Sequence, residues 1–191
     1  MDSDVKILKL FLDTRESFTI KKIADTLKIN YRIAYEQVFV LEKEGLLRIT
    51  RLGNANLCEF TYHFNNKVYE AEYVRRMELF KNKNFLVLKN RLAELNFTFV
   101  ALLFGSYAKR TATKHSDIDI LAIGGEEKEI KAALALLPDK LHITCVTYES
   151  FVKMAKSKEF SVVSEAIKNN ITLIGTEEYY RLLSNAGYAQ N

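Results

Sequence analysis

The apolar positions along the chain predict short helices first and a strand-rich second half. Val5, Ile7, Leu8, Leu10, Phe11 and Leu12 recur at helical spacing and predict a first helix. After a loop through Phe18, Thr19 is placed to cap a second helix, with Ile20, Ile23, Ala24 and Leu27 turned inward. Asn30 caps a third, from Tyr31 to Glu44, whose buried stripe is Ala34, Val38 and Leu41 and whose end is Gly45. Leu46–Arg51 and Leu57–Tyr62 read as two strands joined at Gly53-Asn54. Val68–Phe80 and Phe85–Leu95 read as helices with a break at 82–84, the second ended by Asn96. Phe99–Phe104 is a continuous apolar run, as expected of a buried strand.

Beyond it the pattern predicts a short helix, a strand over 117–123, and a helix over Glu126–Leu137 stopped by Pro138. A strand over 140–147 follows. Tyr148–Lys156 and Phe160–Asn169 read as helices, Ile171–Ile174 as a short strand, and Glu177–Leu183 as a last helix capped by Thr176. The polar tail from Ser184 is expected to fray.

Composition narrows this little. At 191 residues, nearly half of them apolar, the chain is long enough for one large or two small globular domains. No apolar run suggests a signal peptide or a membrane span. Cys58 and Cys145 are too few for a disulfide framework or a zinc site and read as core residues, so a cytoplasmic setting is expected. Charge adds one feature. Residues 1–66 hold ten Lys/Arg against nine Asp/Glu, and residues 92–191 hold eleven against twelve. Residues 67–91 hold seven against three, so the basic excess sits in the join, either as a nucleic-acid contact or as a solvated helix face.

The candidate chemistry lies between Phe97 and Ile123. Asp117 and Asp119, two apart on a strand, share a face roughly 6.6 Å apart, while Ile118 and Ile120 point into a core. Two converging carboxylates call for a cation, and oxygen ligands suit Mg2+ or Mn2+ carrying substrate phosphates. Gly105 allows a tight turn and a close backbone approach, and Ser106 offers a hydroxyl and an amide.

Gly105-Ser106, a short helix, then Ser116-Asp117-Ile118-Asp119-Ile120 together resemble the nucleotidyltransferase superfamily that includes DNA polymerase beta. The likeness is greatest to its minimal, MNT-type members, and it covers about residues 84–180. It implies that Asp117 and Asp119 hold the metal. Gly105, Ser106 and Ser116 would bind the nucleotide, with Lys109 or Arg110 adding charge. An NMP group would move from an NTP to an acceptor hydroxyl of a protein (as in members paired with HEPN toxins), a small molecule or RNA. Two departures stand out. The family's third carboxylate falls on Thr144, with no Asp or Glu between Asp139 and Glu149, and His142 on the same face is either a base or structural. A glycine frequent in the family falls on Arg110, which either binds phosphate or merely ends a helix. The alternative function is therefore a regulator whose transferase domain senses nucleotide or docks a partner without turnover.

Residues 1–66 resemble a winged helix-turn-helix domain, with LEKEGLLRI at Leu41–Ile49 carrying the likeness. The resemblance implies DNA contacts from Tyr31, Arg32 and Tyr35 on the third helix and from Arg48, Arg51 and Asn54 on the wing; Glu36 shares the outward face. Winged helices also dock proteins, and Phe39 and Val40 pack on a neighbour or form a homodimer face. The expected architecture is α+β: a winged helix over 1–66, a basic connecting helix over 67–83, and a polymerase-beta-like domain with a small mixed sheet over 84–191.

Overall fold

The computed structural model of the chain describes residues 2–135, 137, 140–157 and 159–189. Pro138 and Asp139, which entered the reading of the sequence, lie outside the described residues, as do the last two residues of the tail.

The N-terminal third runs α1 (Ser3–Thr14), β1 (Phe18–Thr19), α2 (Ile20–Leu27), α3 (Tyr31–Lys43), β2 (Leu47–Leu52) and β3 (Ala55–Phe60). The caps are those the sequence indicates: Thr19 Oγ1 accepts from the Lys22 amide and Asn30 Oδ1 from the Arg32 amide. Each satisfies a donor that the first helical turn leaves free. Gly45, at φ 73°, turns the chain out of α3 into β2. The sequence reading missed β1. Phe18 and Thr19 pair with Cys58 and Leu57, so the hairpin becomes a three-stranded sheet in the order β1-β3-β2. Two residues are too short a run for periodicity to reveal.

Next come α4 (Asn66–Leu79) and α5 (Lys83–Ala93), capped by the side chains of Asn65 and Asn82. The second sheet holds β4 (Val100–Phe104), β5 (Ile118–Ile123), β6 (Leu141–Val146) and β7 (Asn170–Ile174) in the order β6-β5-β4-β7. The β5–β6 pair is parallel and the others antiparallel, so the sheet is mixed, as expected of the α+β class. The short α6 (Gly105–Ala108) links β4 towards β5, and α7 (Glu127–Leu134) precedes β6. The last helices are α8 (Tyr148–Ser157), α9 (Val162–Lys168) and α10 (Thr176–Asn185). No helix among the described residues is long and apolar enough to cross a membrane.

Three expectations at the C-terminal end need correction. Thr176 does not cap α10: the N-cap is Gly175 at φ 74°, and Thr176 Oγ1 instead accepts from Arg76. α9 starts at Val162, because Ser161 and Ser164 form a reciprocal capping pair, and this leaves Phe160 88% exposed outside it. The tail does not fray at Ser184. Ala186 is buried, and Tyr188 packs edge-on against Tyr62 at 5.3 Å between centroids.

Helices cover both faces of the mixed sheet. Ala101, Leu103, Ile118, Ile120 and Ala122 pack with Phe85, Leu88 and Leu92 of α5 and Ile130 and Leu134 of α7. The opposite face, Val100, Leu102, Phe104, Leu121 and Ile123, packs with α8 to α10. That second core continues through Tyr180 and Val68 into the apolar interior of α1 to α3. A buried charge cluster marks the junction. Arg75 on α4, 1% exposed, donates to Asp13 of α1 at 2.8 Å, Glu72 at 2.7 Å and the Asn170 carbonyl of β7 at 2.6 Å. Tyr180 of α10 donates to the other Glu72 oxygen at 2.8 Å.

Candidate active site

β4 ends, and β5 begins, at the same end of the sheet, and the antiparallel register sets Phe104 opposite Asp119. The chain leaves β4 through Gly105 at φ 69°. A Cβ at that position would lie about 2.3 Å from Asp119 Oδ2, so glycine is what lets the turn close over the carboxylate. Asp117 lies one residue before β5 rather than in it. Its Oδ1 is buried and has no hydrogen-bond partner. A buried, unpartnered carboxylate oxygen beside a second carboxylate is the chemistry a cation would satisfy. Among the described residues no three His, Cys, Asp or Glu side chains gather into a metal cage. The residues fit a Mg2+ or Mn2+ ion that takes its remaining oxygens from a substrate.

The environment of Asp119 defines the rest of the site. Burial pushes its carboxyl up; His142 opposes this, Glu165 and Asp117 add to it, and Lys109 opposes it. His142 is paired with Asp119 in the parallel β5–β6 register, and its Nδ1 is 3.7 Å from Asp119 Oδ1. Thr144 lies on the same face of β6, with no carboxylate in its place. Phe104, Asp119, Lys131, His142, Thr144 and Val162 line a cleft of about 530 Å3. Glu165 escaped the sequence reading. It comes from α9 and forms a 3.5 Å ion pair with Lys109. No local pattern signals it, since its approach depends on how α9 packs against the sheet.

The remaining predicted residues separate. Lys109 is exposed and lies close enough to act on Asp119. Arg110 follows the end of α6 at φ 58° and pairs with Glu78 at 2.8 Å and Asp13 at 3.4 Å, on the side of α1 and α4. Ser106 is the second residue of α6, and its carbonyl accepts from the Thr111 amide. The Ser116 hydroxyl accepts from the Thr113 amide at 2.9 Å and holds the turn before Asp117.

On the N-terminal unit, Tyr31 and Tyr35 are 53% and 43% exposed, with ring centroids 6.3 Å apart. The Tyr35 ring lies tilted at 42° against Phe39, which packs on the core, while Val40 is exposed. Arg32 is held by Glu36 at 2.8 Å. Arg48, Arg51 and Asn54 are exposed on the hairpin; Arg48 lies opposite Glu59, and Arg51 donates to the Gly53 carbonyl.

No curated protein and no solved structure is significantly similar to this chain. Residues 87–179, which carry β4 through β7 and every carboxylate described around Asp119, match the family model described as Polymerase beta, Nucleotidyltransferase. The C-terminal part of the chain is thus similar to a nucleotidyltransferase domain of the polymerase beta family.

Proposed function

We propose that the C-terminal domain binds a nucleoside triphosphate with Mg2+ or Mn2+ and transfers its NMP group to an acceptor hydroxyl. The observation that carries this reading is the closure of Gly105 over Asp119, beside the buried, unpartnered Asp117 Oδ1. Asp117 and Asp119 would hold the metal, which when bound neutralises charge on the triphosphate. Gly105 and Ser106, at the start of α6, would bring backbone amides to the phosphate oxygens, with Ser116 holding the turn before Asp117. Lys109 supplies a cation, released from Glu165 as the anion arrives. Arg110 is held by Asp13 and Glu78, so a direct role on the phosphates requires breaking those pairs.

The test is Mg2+-dependent pyrophosphate release with each of the four NTPs. Asp119→Asn should abolish release while far-UV circular dichroism stays unchanged. Release that persists in Asp119→Asn would remove the site from the chemistry.

Thr144 favours a second reading: a nucleotide-sensing regulator in which the domain binds without turnover. The N-terminal unit then supplies the output as a winged helix, a description supported by its order of three helices and a hairpin. Two partner classes compete. DNA contact would rest on Arg48, Arg51 and Asn54 of the hairpin with α3 in the groove. Protein docking, by a homodimer or a HEPN-type partner, would rest on the exposed Tyr31, Tyr35 and Val40. Because Glu36 already holds Arg32, α3 offers more aromatic surface than free charge. Metal-dependent NTP binding without pyrophosphate release, for any acceptor class, would select the sensing reading.

A further inference from the structure

Arg15 lies far in sequence from the carboxylate site. It ends α1 in a left-handed conformation at φ 57°. Its side chain is only 5% exposed, yet none of its three guanidinium nitrogens has a hydrogen-bond partner. The nearest carboxylate oxygen, Glu72 Oε1, is 3.9 Å away. That oxygen already accepts from Tyr180, and Glu72 Oε2 accepts from Arg75. The rings of Phe60 and Tyr62 flank the guanidinium at 5.7 and 5.3 Å. Cation–π attraction offsets part of the cost of burying the charge, but it leaves the N–H groups without acceptors.

Two further observations converge on this point. Tyr62 is itself left-handed, at φ 63°. Two non-glycine residues in that region, in mutual contact, store strain that the surroundings must hold. Arg15, Phe60 and Tyr62 also line a cavity of about 390 Å3, completed by Ser17, Arg48 and Tyr188 among others. Glu16 and Glu59 line it too; Glu59 accepts from the Ser17 hydroxyl and lies opposite Arg48 in the β2–β3 register. Glu59 therefore has its own neighbours, and neither carboxylate forms an ion pair with Arg15 among the described residues.

We propose that this cavity is a binding site for a compact oxyanion, a carboxylate or a phosphate, recognised by Arg15. A guanidinium presents five donors in a planar fork, and those two groups are the acceptors whose geometry matches it. The volume falls within the range of small-molecule sites, about 300 to 1,000 Å3. The guanidinium nitrogens have almost no contact with solvent, so binding goes with movement of the Tyr62 ring. That ring rests on strained backbone and on an edge contact with Tyr188. The site is independent of nucleotidyl transfer and stands or falls separately from it.

The test titrates inorganic phosphate and acetate separately into the full chain. Chloride keeps ionic strength constant, and EDTA is present so that no divalent cation contributes. With ten tyrosines and no tryptophan, tyrosine fluorescence reports directly on ring movement. Melting temperature is followed in parallel. A saturable change with one anion is expected, and the anion that saturates identifies the headgroup. Arg15→Met should weaken that binding at least about tenfold. Arg15→Lys keeps the charge but removes the fork; it should also weaken binding, and it serves alone if the methionine variant does not fold. If neither anion saturates, or if the variants bind as the parent does, the proposal is wrong.

Discussion

Single residues set the carboxylate site, and single substitutions report on it. Gly105→Ala combines a Cβ about 2.3 Å from Asp119 Oδ2 with a φ of 69° that alanine adopts only under strain. We expect a loss of at least about 1 kcal/mol in urea denaturation, with NTP affinity falling alongside. Gly53→Ala is the matched control, because that glycine has a similar φ but open space around it. Asp119→Asn should lower pyrophosphate release at least about 100-fold, since metal neutralisation of phosphate charge is worth several kcal/mol and each 1.36 kcal/mol is tenfold. At this scale the turn at Gly105 and the strand position of Asp119 were legible, because turn and apolar flanks occur within one short stretch, whereas Asp117 falls one residue before β5. The sequence was silent on Glu165, which reaches Asp119 only through the packing of α9, and on the pairing of Arg110 with residues far earlier in the chain.

Elements meet at α4, where Arg75 ties α1 to β7. A buried guanidinium whose carboxylate partners are Asp13 and Glu72 is costly to break from one side. Arg75→Ala should cost about 3–5 kcal/mol, read from the urea midpoint and slope. The same cluster gives a pH dependence. Burial alone would raise the Asp13 carboxyl, but the charges and hydrogen bonds of Arg75 and Lys9 outweigh it and hold it below its ordinary value of 3.8. A carboxyl depressed in the folded state contributes stability above its unfolded value and loses it as pH falls through the folded one. The urea midpoint should therefore drop as pH is lowered past 3.8, and Asp13→Asn should flatten that drop. Helix boundaries around α2 and α3 were legible because Thr19 and Asn30 cap locally. The start of α10 was not, because Gly175 caps by its conformation and frees Thr176 for Arg76.

Over the whole molecule, one apolar core runs from α1 to α3 through Tyr180 and Val68 to the mixed sheet. Stability should then be shared. Far-UV circular dichroism and tyrosine fluorescence should give coincident urea transitions rather than two steps. Two separated midpoints would mean that the N-terminal unit melts alone. The sequence indicated a helical join without Pro or Gly, and α4 bears this out. It did not indicate that one face of α4 buries Glu72 and Arg75, because their partners come from α1, β7 and α10, far away in the chain.

The Arg75 cluster also bears on how such a protein is inherited. Its three anchoring groups come from α1, from α4 and from β7. A graft that moved residues 1–66 onto an unrelated domain would leave the Asp13 carboxylate without Arg75 and with Lys9 as its remaining partner in that piece. It would also strip the apolar cover that α4 gives to α1. Recombination that succeeds must carry α4 and its arginine with the N-terminal piece and must find a free carbonyl on the recipient sheet. The two halves have separate motifs, but through this guanidinium they form a single unit of exchange.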